Sequence, residues 1–547
     1  MPTVESSGHF FVIDGDLNFI KCDAVLIPSD VVLSLDFGKW GGRLSGGAHK
    51  RVQLPTSRNW KVLADPAPPA TSAVVWFGNV GDISTEVGPY VDVAEAFIRE
   101  ASTALGPRAT RPRLALNVLG TGFGGMHASK GTVIQALVEQ LIDLTNSLPV
   151  DVVLVTWGVK QYSAAQRARK RASHRLRALD AEVNSPEPAR LDATVTVLAE
   201  RARRQQLVLF AGAGVSTGAG LPLWQELLDE LAKAAPTEKQ GALDPVRLRN
   251  LDVRDQAQVL AQRYGKTDYK SWLLDRFKSE YYALAHGLLA SLDPHEVVTT
   301  NYDSLMEKAF GQARRQAVLP KEAVGPAGRW ILKLHGTLEE VDSVVLTREE
   351  YLGLPERSQA LFGIVQAMLI TKHMLFVGYS LSDDSFHRII HQVRRARGEQ
   401  GDNDKIGTVL TLFEDPLLQE LWGNDLNIVG IAKRPAPGTS EEEEDALILK
   451  ASRSLDIVLD RIALEAADVT AFLLDESYAD MLDNEEQLLK KELLDLVGVL
   501  EAGGPIGQQI RDMLASMLST DPKDSDPYSA LGRRVAEEGR RHKDRGG

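Results

Sequence analysis

The sequence predicts an α/β protein: two units, each built on a largely parallel sheet, followed by a helical region. Three observations predict it. Short apolar runs alternate with segments whose apolar residues recur at helical spacing. Several of those runs empty at once into glycine or polar residues. A polar stretch with two prolines, Asp180 to Asp192 (DAEVNSPEPARLD), separates an earlier series of runs from a later one and reads as a linker.

The first series opens with Phe10 to Ile13, a strand that runs into Asp14-Gly15-Asp16-Leu17. Asp23-Ala24-Val25-Leu26-Ile27 follows and ends in Pro28-Ser29-Asp30. Val74 to Phe77 is another strand, and Val91 to Leu105 has helical spacing through Val93, Ala94, Phe97, Ile98 and Ala101. Leu114 to Leu119 is a strand that ends in Gly120-Thr121-Gly122-Phe123-Gly124-Gly125, before a helix from about Lys130 to Asn146. Such a loop can cradle a phosphate, because glycines let backbone amides approach and a helix start favours an anion. Val152 to Thr156 closes the series. The basic run Arg167 to Arg177 (RARKRASHRLR) reads as a solvated interdomain helix.

The second series opens with an entry helix, Ala193 to Arg204, and then LVLFAGAGVSTGAGLP, Leu207 to Pro222. Leu207 to Phe210 is a buried strand, and Gly212, Ala213 and Gly214 follow it directly. The spacing is neither GxGxxG nor a Walker A loop, since no Gly-Lys-Ser/Thr follows. A helical insert comes next, in which Trp224, Leu227, Leu228 and Leu231 form one apolar stripe, and Ala283 to Leu292 is similar. Val297 to Thr300 then ends in Asn301-Tyr302-Asp303, Trp330 to Leu334 in His335-Gly336, and Met374 to Val377 in Gly378-Tyr379-Ser380. In an open parallel sheet, ligands bind outside the carboxyl ends of strands. Asp303 could cap the helix Ser304 to Phe310, and the pair Asp383-Asp384 reads as the cap of a helix from Ser385.

The block Glu441 to Glu444 reads as a solvated helix start or loop, and Ala446 to Leu518 as an amphipathic helical region packed on the second unit or on another subunit. The expected organisation is therefore 1–180, 193–435 and 440–547.

GAGVSTGAGLP, TTNYD, KLHG and GYS, in this order, resemble the sirtuin NAD-binding fold over roughly Gln205 to Val429. The likeness is greatest to the bacterial anti-phage branch, where Gly220-Leu221-Pro222 and Trp224 stand in place of the Asp-Phe-Arg of deacylating sirtuins. The resemblance implies an NAD glycohydrolase that releases nicotinamide and ADP-ribose, with NAD as substrate. It gives Asn301 the task of orienting water or the ribose, and His335 contact with the ribose hydroxyls as general base. Asp303 would orient the Asn301 loop or bind the nicotinamide amide. Gly212, Ala213, Gly214 and Ser216 would hold the pyrophosphate, Thr300 would line the same NAD pocket, and Gly378 and Ser380 would sit beside the adenosine.

Deacylating sirtuins carry a four-cysteine zinc module, and this chain has one cysteine, Cys22. A tetrahedral thiolate site within one chain is excluded, so no metal is expected.

The first unit resembles a macro domain, a fold that binds ADP-ribose, through the Gly15-Asp16 turn, Asp23-Ala24-Val25 and the Gly120 loop. That resemblance implies an effector site at Asp23, Gly120, Thr121, Gly122, Phe123 and Gly124, with Asp23 on the adenine. The family's Asn-Ala-Ala-Asn stretch is replaced by Ile27-Pro28-Ser29-Asp30, which favours binding over ADP-ribosyl hydrolysis. Together the two resemblances look like the Thoeris-type anti-phage effectors, which destroy NAD when a nucleotide messenger binds their sensor. The partner implied is an ADP-ribose derivative of the kind a TIR-domain enzyme makes, acting on a homo-oligomer. The alternative is a protein ADP-ribosyltransferase or deacylase module, coupled to a macro domain that reads or erases the mark.

Bulk properties narrow the classes further. The chain has 547 residues and a formal net charge of −13, with no basic stripe interleaved with aromatics, which argues against nucleic acid as the main partner. Apolar runs stay below the roughly 18 residues that a membrane span needs. The start MPTVESSGHFF lacks the regions of a signal peptide. A cytoplasmic protein is expected.

Overall fold

The computed structural model describes residues 7–68, 73–81, 85–106, 108, 110–122, 125–235, 243–311, 314–398 and 405–501, with side chains at 266 and 497–501 left out. Phe123 and Gly124 lie outside the described residues. The α/β class is borne out. The chain divides into two compact units, one of Met1–Asn18, Cys22–Arg177 and Ala467–Gly547, the other of Phe19–Lys21 and Ala178–Ala466.

The first unit is a six-stranded sheet: β1 (Phe10–Asp14), β2 (Ala24–Ser29), β3 (Val62–Ala64), β4 (Val74–Asn79), β5 (Arg113–Asn117) and β6 (Asp151–Thr156), in the order β1-β6-β5-β2-β4-β3. Among the described residues only β3 is antiparallel. β1 and β6 are buried along their length and apolar between their ends, as parallel strands covered on both faces are. The helices Gly88–Leu105 and Lys130–Ser147 bury Val93, Phe97 and Ile98, and Val133, Ile134, Leu137 and Leu141, in one core.

Three sequence expectations differ from the structure. The basic run is not a solvated helix. Arg169, within the helix Val159–Arg171, is 2% exposed. Its guanidinium lies over the Phe10 ring and donates to the Phe10 carbonyl at 3.0 Å. Arg167 pairs with Glu486. A guanidinium can be buried when its donors find acceptors and its plane covers an aromatic face.

The region 440–547 is not one body either. The helix Glu441–Ala466 packs against Pro188–Arg203 and Leu284–Ser291 of the second unit. From Ala467 the chain joins the first unit, where Phe472, Leu473, Tyr478, Met481 and Leu482 enter the core. Those side chains follow a turn, and helical periodicity along the sequence does not reveal it. The linker is also shorter than Asp180 to Asp192. Pro188 opens the helix Pro188–Arg203, a first-turn position where its missing N–H costs nothing.

The second unit carries seven strands, all parallel: β7 (Leu207–Ala211), β8 (Glu296–Thr299), β9 (Ala317–Leu319), β10 (Trp330–Lys333), β11 (His373–Val377), β12 (Gly407–Phe413) and β13 (Leu426–Ala432). Their order is β13-β12-β11-β7-β8-β10-β9. Val208, Phe210, Val298, Leu332, Met374 and Phe376 form its core. The helical insert has a separate cluster, in which the stripe Leu227, Leu228 and Leu231 meets Leu260, Tyr269, Leu273 and Tyr302. Among the described residues, no helix is long and apolar enough to cross a membrane.

Candidate functional site

The four motifs of the second unit stand side by side. β11, β7, β8 and β10 are neighbours, and the register sets Val377 opposite Ala211, Ala211 opposite Thr299, and Thr299 opposite Lys333. Just beyond this line lie Gly378, Gly212, Thr300-Asn301 and Leu334-His335, at one carboxyl edge. The chain order reverses there: β8 and β11, later in sequence, flank β7 on its two sides. Such an edge is the binding crevice of an open parallel sheet.

The glycines serve the close approach of two backbones. Gly212 N donates to the Val377 carbonyl and Gly214 N to that of Gly378, both at 2.9 Å. A Cβ on Gly212 would lie 2.4 Å from the Gly378 oxygen, and one on Gly378 would lie 2.5 Å from Val215 N. Gly378 also has a φ of +65°, which favours glycine. The amides of Gly212 and Gly214 are thus spoken for, and Ala213 between them is exposed. Ser380 is exposed on the β11 loop, 2.6 Å from Ser382 Oγ.

Ser216 corrects its expected role. Its side chain is turned inward and is 2% exposed. The hydroxyl donates to Asp303 Oδ2 at 2.9 Å and accepts from Asn301 Nδ2 at 3.1 Å. His286 Nε2 lies 3.4 Å away. The hydroxyl is therefore committed to the Asn301 loop. The other oxygen of Asp303 accepts from Leu305 N at 3.0 Å, at the start of the helix Leu305–Phe310, so both oxygens are engaged next to the Asn301 loop.

His286 was not singled out in the sequence, where it looks like one residue of an apolar stripe. Ala283 N donates to its Nδ1 at 3.2 Å, which leaves the ring proton on Nε2, facing Ser216. Burial holds its pKa down at about 4, against the pull of the Asp303 carboxylate. The imidazole is neutral at pH 7.

This network fixes the Asn301 amide. Nδ2 also donates to the Gly212 carbonyl at 3.1 Å. Oδ1 is left buried with no hydrogen-bond partner. A buried amide oxygen without a donor costs roughly 1–3 kcal/mol, so Oδ1 is an acceptor open to a donor from a ligand. Lys333, from the KLHG motif, braces the loop from below. Its Nζ donates to the Asp303 carbonyl at 2.6 Å and pairs with Glu307 at 2.8 Å. Burial raises the Glu307 carboxyl in spite of Lys333.

His335 is 3% exposed and held from two sides. Nε2 lies 3.0 Å from Asp383 Oδ2, and Nδ1 lies 3.4 Å from the Tyr351 hydroxyl. Asp383 does cap the helix Asp384–Arg397, through Ser385 N at 2.7 Å, but its second oxygen belongs to His335. Burial would raise the Asp383 carboxyl, yet its hydrogen bonds with His335 and the Ser385 amide hold it below the usual value. Tyr351 stacks on Trp224, the tryptophan of the Gly-Leu-Pro-x-Trp motif, with centroids 5.7 Å apart. Gly336 follows with φ +87°, where a Cβ would strike the Ser343 carbonyl.

In the first unit the expected effector residues do not come together. Gly120, Thr121 and Gly122 follow the carboxyl end of β5. Asp23 precedes β2, and the parallel register puts Ala24 opposite Leu114, so Asp23 lies at the amino edge of the same sheet. Its carboxylate is filled there by Arg108 at 2.8 Å and by Arg113 N at 2.7 Å. A single ligand on the Gly120 loop that also meets Asp23 is ruled out by this topology. Asp16, from the Gly15-Asp16 turn after β1, stands at the same edge as the loop.

The loop itself is specific in form. Gly120 has φ +76°, and a Cβ would lie 2.7 Å from the Tyr90 ring, whereas Gly122 faces open space. The start of the following helix already holds an anion. Thr132 N donates to Asp480 Oδ2 at 2.7 Å. Among the described residues, no group of three His, Cys, Asp or Glu side chains could hold a metal ion.

Residues 295–431 match the SIR2-like domain family. An NAD(+) hydrolase ThsA from Enterococcus faecium is 31% identical over 205 residues, 36% of this chain and 41% of the relative. Defense-associated sirtuin 2 from Bacillus subtilis is 26% identical over 206 residues, 36% of this chain and 20% of the relative. A macrodomain of Oceanobacillus iheyensis solved with ADP aligns with 30% of this chain and 92% of its own, at 12% identity and a TM-score of 0.24. The aligned part spans about two fifths or less of the curated relatives' length. The matched residues hold three of the four motifs, TTNYD, KLHG and GYS, which meet the Gly212 loop at one sheet edge.

Proposed function

We propose that the second unit hydrolyses NAD between nicotinamide and ribose, and that the chain acts as an anti-phage effector switched by a nucleotide signal. The observation that carries the reading is the pairing of Asn301 and His335. They extend two neighbouring strands, in register, beside the interlocked glycines Gly212 and Gly378. The names borne by the relatives, NAD(+) hydrolase and defense-associated sirtuin, agree with it.

The chemistry follows from the bond. As the bond from C1′ to the pyridinium nitrogen breaks, its electron pair stays with nicotinamide, which leaves neutral, and the ribose gains oxocarbenium character. Water supplies the oxygen that closes on C1′ and gives up a proton. Asn301 Oδ1, buried and without a donor, is the acceptor that orients the water or a ribose hydroxyl. His335 takes the proton, work for which a histidine is suited near neutral pH. Asp303 and Lys333 hold the Asn301 loop still.

In the first unit, the loop at Gly120 to Gly122 would receive the diphosphate of an ADP-ribose derivative on backbone amides. A ligand shifts the enzyme between states only if it binds one of them better.

The test is incubation of the full chain with NAD and no acceptor protein. Free ADP-ribose and nicotinamide in equal amounts support hydrolysis. ADP-ribose retained on protein supports the transferase alternative.

A further inference from the structure

Asp383 does two jobs with its two oxygens, and capping explains only one of them. Oδ1 accepts from Ser385 N at 2.7 Å, which is the ordinary work of an acid before a helix. Oδ2 lies 3.0 Å from His335 Nε2, in a side chain only 11% exposed. β11 and β10 are separated by β7 and β8, so the β11 loop reaches past two strands to make this contact. An ionised carboxylate accepts hydrogen bonds and donates none, so the nitrogen that faces it must carry the proton. The second ring nitrogen then holds the lone pair, and it faces the Tyr351 hydroxyl at 3.4 Å, the outer limit of a hydrogen bond.

Tyr351 is itself held from two other sides. Trp224 stacks on its ring, and the Arg254 guanidinium lies 5.3 Å from the centroid. Arg254 in turn pairs with Asp384, the neighbour of Asp383, and with Asp252.

We propose that Asp383 is the positioning residue of His335: it fixes the imidazole with the proton on Nε2 and leaves Nδ1, beside the Tyr351 hydroxyl, as the nitrogen that accepts a proton. This rests on the reading of His335 as the base. No proton leaves Asp383 in this arrangement. The proton taken from the water or a ribose hydroxyl arrives on Nδ1, directly or by way of the Tyr351 oxygen, which passes on its own proton as it receives one. The resulting imidazolium is balanced by the Asp383 carboxylate.

Asp383→Asn tests this without loss of the cap, because asparagine caps helices as well as aspartate does. An amide can turn its NH2 toward Nε2 and drive the ring into the other tautomer. We expect Asp383→Asn to lower kcat for nicotinamide release about a hundred-fold, with KM for NAD within about threefold of the parent. Asp383→Glu should restore part of the loss. Tyr351→Phe keeps the stack on Trp224 and should lower kcat about tenfold.

Nitrogen-15 histidine spectra of the full chain give a readout independent of turnover. The His335 signal, identified by its absence from His335→Gln, should show the proton on Nε2 in the parent and a different state in Asp383→Asn. Parental kcat in Asp383→Asn, or a parent ring protonated on Nδ1 alone, overturns the proposal. So does a loss of activity that comes with lowered thermal stability and an unchanged His335 signal, the mark of a merely structural role. Undiminished cleavage by His335→Gln would instead overturn the underlying assignment of His335.

Discussion

Asn301 turns its amide nitrogen onto the hydroxyl of Ser216, 3.1 Å away, and its oxygen is left buried without a partner. The direction of that amide is set at a distance. The Ala283 amide fixes the His286 tautomer, His286 points its N–H at Ser216, and Ser216 spends its own proton on Asp303. One lone pair of the hydroxyl remains for Asn301. A backbone amide three contacts away thus sets which end of the Asn301 amide is left without a partner.

Ser216→Ala should therefore do more than remove a methylene-bound oxygen. It leaves Asp303, His286 and Asn301 each short of a partner in a buried place. We expect a loss of about 2 kcal/mol of stability by denaturant unfolding. The remaining folded protein should also cleave NAD at least tenfold more slowly, because the amide can then rotate. Stability and activity equal to the parent would show that the network does not orient Asn301.

His286 makes the fold sensitive to acid. Its pKa is pulled from 6.5 to about 4 in the folded chain, mainly by burial. Between those values the unfolded chain binds a proton that the folded one refuses. The folded state is thus at full stability above pH 6.5 and loses stability as the pH falls toward 4, by roughly 3 kcal/mol in all. Thermal unfolding of the parent should fall more steeply over this range than that of His286→Gln. Parallel curves for the two proteins would contradict the assignment.

Gly122 is the residue at which to test the signal site. It faces open space, so Gly122→Glu should fold normally. Its carboxylate adds bulk and a like charge against a diphosphate. The variant should keep the parental affinity of the second unit for NAD and lose calorimetric binding of ADP-ribose to the first. Binding of ADP-ribose by Gly122→Glu as tight as the parent's would remove the loop from the proposal. Gly120→Ala would be a poor substitute, because its Cβ meets the Tyr90 ring.

A metal chelator should leave NAD cleavage unchanged. The single cysteine, Cys22, is half-buried beside Arg43 and cannot form a thiolate site with partners of its own kind. One equivalent of zinc per chain, lost together with activity, would contradict this.

Much of the site was legible because its signals are local. A strand that ends in Gly-Ala-Gly, Asn-Tyr-Asp, His-Gly or Gly-Tyr-Ser shows both the strand and what its end delivers. The stripe from Trp224 to Leu231 is legible for the same reason. What was missed depends on contacts distant in the chain. His286 is ordinary on its helix and becomes significant only beside Ser216, 70 residues away. Asp383 looked like a cap, and is one, but its second oxygen answers to His335. Asp480 fills a helix start 348 residues earlier, which no local pattern foretells. Asp23 failed for a related reason: a motif says which residues flank a strand, while the register decides at which edge they stand.

In the proposed reaction the second unit breaks the bond between nicotinamide and ribose with Asn301 and His335. The most direct measurement is nicotinamide release from NAD by the full chain, with and without ADP-ribose and its derivatives, in the parent and in Asn301→Ala and His335→Ala. We expect the parent to release nicotinamide and free ADP-ribose in equal amounts, and each folded variant to do so about a hundred-fold more slowly or less. A parent that releases no nicotinamide under any of these conditions, or variants that release it at the parental rate, would contradict the account.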